Sequence, residues 1–111
     1  MTRETLLADR AEIANTSAKR RQGLLKHSGL ATGEGLWITP CEGVHTFFMK
    51  FPIDVVFLTR QKKVLKIRPN MVRSRISFNF RSHSVLELPA GRLEETGTVA
   101  GDQLEFEKYD V

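Results

Sequence analysis

Residues 41–58 constrain the fold more than any other stretch, because they set a carboxylate inside an apolar, strand-like run. The segment reads Cys41-Glu42-Gly43-Val44-His45-Thr46-Phe47-Phe48-Met49-Lys50, then a break at Phe51-Pro52, then Ile53-Asp54-Val55-Val56-Phe57-Leu58. A strand this apolar belongs in a protein interior, and an unpaired charge there is costly. Asp54 therefore needs a partner from elsewhere in the chain. Arg20 is the expected one, its guanidinium fork gripping the carboxylate as an ion pair that locks a helix to a sheet.

The rest of the chain supplies the strands such a run must pair with. Gly35-Leu36-Trp37-Ile38 ends at the turn Thr39-Pro40. Val44 to Lys50 is β-prone, with His45, Phe47 and Met49 expected on one face. Ile53–Leu58 and Val64–Ile67 read as a hairpin around Thr59–Lys63. Pro69 to Ser84 reads as a long basic loop with a short strand near Arg75–Phe80. Val85–Leu88 and Gln103–Lys108 complete the strands. One clear helix fits residues 16–28, capped at its start by Asn15 or Thr16 and ended at Gly29. Gly23 inside it is costly and suggests another backbone passing close. A second, short helix fits residues 90–96, closed by Gly97.

These elements predict a mainly β domain, a β-sandwich or partly open barrel of six to eight short, largely antiparallel strands with a packed helix. At 111 residues the chain suits one domain, residues 1–111, with its core over 14–108 and residues 1–4 frayed. No apolar run is long enough for a membrane helix, and the N-terminal ten residues lack the apolar stretch of a signal peptide. The expected setting is cytoplasmic. A single cysteine excludes an internal disulfide.

Several motifs, in order, resemble domain-of-unknown-function family 192 of small bacterial and archaeal proteins. They are Ala14-Asn15-Thr16 with Arg20 and Gly23-Leu24-Leu25; Phe47-Phe48-Met49-Lys50 with Pro52-Ile53-Asp54-Val55; Leu86-Glu87-Leu88-Pro89-Ala90-Gly91; and Gly101-Asp102. The likeness spans residues 14–106. It implies a compact β-sandwich-like domain with a helix, and no established activity. Leu25 stands where methionine is usual in the family, and the hairpin around Gln61 lacks its frequent glycine.

Function is less legible. The chain offers one cysteine, three histidines and no Cys-x-x-Cys pair, too few convergent ligands for a metal, and no phosphate-binding glycine loop. Neither metal nor cofactor is expected. Cys41 and His45 lie too far apart along a strand to act as a nucleophile pair. Between Asp54 and Glu87 there is no acidic residue, while Arg60, Lys62, Lys63, Lys66, Arg68, Arg73, Arg75 and Arg81 all occur there. That asymmetry suits an anionic partner or simply a solvated face.

The leading expectation is a non-enzymatic binding module. Its polar pocket would be built from Arg20, His45, Met49, Lys50, Asp54 and Glu87, and would take a small anionic ligand or a peptide segment of a protein partner. The alternatives are a small hydrolase using Asp54 or His45 as base, and nucleic-acid association through residues 60–81. Nothing in the sequence decides between monomer and dimer.

Overall fold

A computed structural model of the chain describes residues 7, 8, 10–23 and 29–106. Among these residues it is mainly β, with seven strands in two sheets, two short helices and no closed barrel. The strands are β1 (Arg10–Ala14), β2 (Glu34–Ile38), β3 (Gly43–His45), β4 (Ile53–Leu58), β5 (Val64–Met71), β6 (Ile76–Phe78) and β7 (Ser84–Pro89). The helices are α1 (Ser17–Gln22) and α2 (Arg92–Thr96). Five strands form one sheet in the order β1-β2-β7-β4-β5, parallel between β1 and β2 and antiparallel elsewhere. β3 and β6 form a separate antiparallel ribbon.

The order follows from composition. β4 and β7 are apolar on both faces and every β4 residue is buried, as strands with neighbours on both sides must be. β5 lies at the edge, where Pro69 costs no ladder hydrogen bond. One face of the sheet carries Leu36, Ile38, Ile53, Val55, Phe57 and Val85, packed with Met49 and Met71. The opposite face carries Val56, Leu58, Leu86 and Leu88, covered by Leu7 and by Leu93 of α2.

Asp54 sits at 0% exposure on the second of these faces. One carboxylate oxygen accepts the backbone N–H of Asn70 and the other that of Leu93, each at 2.8 Å. Leu93 is the second residue of α2, whose N-cap, Gly91, has no side chain to offer. The carboxylate thus caps a helix from inside the adjacent sheet, satisfying N–H groups that the helix cannot satisfy itself. The expected Arg20–Asp54 ion pair does not form. The end of α1 lies over the opposite face of the sheet, and the guanidinium of Arg20 donates to the Asn15 carbonyl and to Ser17 Oγ.

Other expectations are corrected in detail. α1 starts as expected, with Thr16 Oγ1 accepting the Lys19 N–H, but Gly23 ends it at φ +49°. Near Gly23 the Glu87 side chain stands as close as the Arg20 carbonyl of its own helix, and among the described residues no other segment's backbone comes as near. The expected continuation of the helix over residues 24–28, the end of the last strand at 107–108 and the fraying of residues 1–4 lie outside the described residues.

The strand expected over Val44–Lys50 stops at His45. Thr46 is fully buried, and its hydroxyl accepts the Arg75 N–H and donates to the Val72 carbonyl. That anchor turns the chain through Phe47 and Phe48, so the expected two-faced strand becomes a turn closed by Met49 N–H to the Thr46 carbonyl. β5 runs four residues past its expected end at Ile67, shortening the basic loop, and the final strand is reduced to a bridge between Gln103 and Lys63. The hairpin turn forms without glycine because Lys62 itself adopts φ +66°.

Replacing Asp54 with alanine strips two backbone N–H groups of their acceptor. Urea unfolding should show a loss of about 3 kcal/mol, the range for charged hydrogen bonds and orphaned buried donors. Arg20→Ala should cost less than about 1 kcal/mol, as for an exposed polar contact. Equal losses in the two variants would restore the ion pair.

Candidate functional site

Glu87 is a buried carboxyl to which no described residue donates a hydrogen bond. Its register, opposite Leu36 on β2 and Val55 on β4, turns it to the face that α1 and the β3–β6 ribbon cover. It is only 5% exposed, and no hydrogen bond reaches it from the described residues. Burial pushes its pKa up to about 7, with no compensating charge. A buried carboxyl without a donor is a candidate for function on physical grounds.

Three neighbours define its surroundings. Gly23 is one: a Cβ there would stand 4.0 Å from Glu87 Oε1, so the end of α1 abuts the carboxyl. Cys41 is the second, a half-buried thiol donating to the Gly43 carbonyl at 3.0 Å. Burial pushes the thiol pKa up; the Gly43 hydrogen bond opposes this, Glu87 adds to it, and Arg20 opposes it. Arg20 is the third, half-buried near the start of α1 and close enough for its charge to be felt at Cys41. A thiol raised in this way stays protonated at neutral pH and is a poor nucleophile.

The expected site residues do not gather in one pocket. Glu87 and Arg20 are both felt electrostatically at Cys41, itself not among the expected ligands, but among the described residues no ion pair joins the two and the Arg20 guanidinium is held by Asn15 and Ser17. Met49 packs in the core cluster of the same face. Asp54 points to the other face, committed to its two backbone donors. His45 is exposed on β3 with its ring 5.5 Å from that of Phe47. Lys50 is exposed, and among the described residues no ion pair joins it to Glu87 or Asp54. Nor do three metal-ligating side chains gather anywhere among them.

Sequence reasoning also missed an open cleft of about 680 Å³ beyond Cys41, lined by Arg60, Arg81 and His83 among others. Its walls come from the segment after β2 at Pro40–Glu42, the β4–β5 hairpin and the turn between β6 and β7, which no local pattern brings together. No described helix is long and apolar enough to cross a membrane.

The model of a family described as DUF192, "Uncharacterized ACR", matches residues 1–106. No curated protein matches the chain. Among solved structures, a protein of unknown function from Novosphingobium aromaticivorans DSM 12444 is similar at 25% identity and a TM-score of 0.79, over 86% of this chain and 74% of that one. A protein from Sinorhizobium meliloti 1021, described as a candidate transcription regulator, is similar at 26% identity and the same TM-score, over 86% of this chain and 79% of that one.

The state of Glu87 gives a signed prediction. Its folded pKa, about 7, lies above its ordinary value of 4.5, so the folded state binds the extra proton. Stability is greatest below the ordinary value, falls as pH rises towards 7, and levels off above it. The whole change is about 3 kcal/mol. Glu87→Gln should flatten this dependence and make the protein more stable than wild type above pH 7. Parallel wild-type and variant curves from pH 4.5 to 8 would show instead that Glu87 ionises without penalty.

Proposed function

We propose a binding function for this chain, which belongs to domain-of-unknown-function family 192. The domain is a non-enzymatic module whose ligand reaches the Glu87 carboxyl past the end of α1. Glu87 accepts a hydrogen-bond donor from the ligand, and Arg20 takes an anionic group. Small acids that also carry an N–H donor, or a peptide segment presenting both groups, fit that chemistry.

The observation that carries this reading is a buried carboxyl with no hydrogen bond from the described residues, where stable interiors satisfy such groups. A ligand donor would stabilise the ionised form and remove the cost of its burial. The hydrolase reading has less support. Asp54 already holds two backbone donors, His45 stands outward against Phe47, and the Cys41 thiol is kept protonated. Catalysis needs a base and a second group converging on one point. The description of the Sinorhizobium protein as a regulator is compatible with a ligand-sensing module but does not choose its ligand.

Thermal unfolding against amino acids, dipeptides, acidic metabolites, nucleotides and metal ions tests the reading. A ligand at a hundred times its dissociation constant should add about 2.7 kcal/mol. The gain should disappear in Glu87→Gln and shrink in Arg20→Ala. A ligand that stabilises all three proteins equally would put the site elsewhere.

A further inference from the structure

The β3–β6 ribbon has an inner and an outer face, and the outer one is apolar without cover. On β6, Ser77 is buried while Ile76 and Phe78 on either side are 61% and 53% exposed. The register sets His45 beside Ile76 and Gly43 beside Phe78, so all four share the outer face. A Cβ at Gly43 would come within 3.0 Å of Phe78 Cβ, so the glycine leaves room for that ring. Ring contacts extend the line at both ends. Phe47 lies 5.5 Å from His45, and Phe80, 81% exposed, lies 5.0 Å from Phe78. Single exposed apolar residues are ordinary, but a contiguous line is a mark of an interaction surface. Beyond Phe47, Phe48 is 85% exposed at φ +66°, a region that bulky residues rarely occupy.

Charge decides what fits there. At the His45 end lie Arg73 and Arg75, held by backbone carbonyls of Met49, Arg73 and Ser74. At the Phe80 end the open cleft begins with Arg81 and includes Arg60. Neither of these two guanidinium groups is hydrogen-bonded to a described residue. Glu42 is the one acidic side chain lining the cleft. The apolar line is thus bracketed by arginines at both ends.

We propose that this face docks an acidic segment of a partner protein, its apolar side chains lying on the Ile76–Phe80 line and its carboxylates meeting the arginines at either end. A second copy of the chain fits poorly, since like faces would oppose arginine to arginine. Single-stranded nucleic acid carries a charge on every nucleotide and is best served by cations along the whole track, with rings free to stack. Here the arginines stand at the two ends, with the Lys66 ammonium donating to the Phe78 carbonyl as a single cation between them, and the rings tilt against each other at 33° and 57°.

Selection of displayed random 12-residue peptides on the immobilised protein tests this surface. The selected pool should place acidic residues around an aromatic or aliphatic centre. It should bind the Glu87→Gln protein as well as wild type, which separates this surface from the carboxyl pocket. Binding should weaken by about tenfold or more in Phe78→Ser/Phe80→Ser and in Arg60→Ala/Arg81→Ala, as for contacts that dominate an interface. All four substituted positions are exposed, so unchanged thermal melting would confirm that both variants fold. The proposal is overturned by the absence of a selected pool, by a pool without acidic residues, or by one that binds both variants as well as wild type. Tight binding of a poly-dT oligonucleotide that these variants lose would likewise give the face to nucleic acid.

Discussion

The fold depends on one carboxylate facing two backbone N–H groups. Asp54 stands in the central strand β4, and its oxygens reach Asn70 in the edge strand and Leu93 at the start of α2. Three chain segments far apart in sequence are fixed by a single side chain. A hydrophobic interior alone would not orient α2, because apolar packing is largely non-directional. The Leu93 N–H bond to Asp54 supplies the direction, and α2 then covers its face of the sheet with Leu93.

Glu87, one strand away, has opposite circumstances. Both carboxyls are nearly inaccessible, yet Asp54 is fully occupied and Glu87 receives no donor from the described residues. The difference is geometric. The face holding Asp54 meets the start of a helix, where free N–H groups point outward. The face holding Glu87 meets the far end of α1 at Gly23, where a helix offers carbonyls rather than donors. The same residue chemistry therefore serves structure on one face and stays available on the other.

The sequence made much of this arrangement legible and concealed the rest for definite reasons. The apolar runs of β4 and β7, the capping Thr16, the hairpin at Thr59–Lys63 and the short α2 all follow local rules of periodicity and capping. β1 was not legible, because Arg-Ala-Glu-Ile-Ala has no clean alternation, and Ala14 is buried while Ile13 is exposed. Its strand comes from the parallel ladder with β2. The need of Asp54 for a partner was readable, but the partner was not, since a backbone N–H leaves no mark in a sequence. Of the expected pocket, Glu87 stays on the face that the end of α1 meets, while strand parity sends Asp54 to the other side. The turn at Phe47–Phe48 was hidden because Thr46 is anchored by residues more than twenty positions away.

The placement of Asp54 and Glu87 on opposite faces of adjacent strands also proofreads the alignment of β4 against β7. Their native pairing sets Asp54 opposite Leu88 and Glu87 opposite Val55. A slip of β4 by one residue would invert all its side chains. Its apolar residues would exchange faces at modest loss, since both faces are hydrophobic. Asp54, however, would leave its two donors and enter the layer that already holds Glu87, to which no described residue donates. An otherwise ambiguous greasy strand thus has one alignment in which its charge is at rest, and the isolated acid in that run tells the chain which way up to fold.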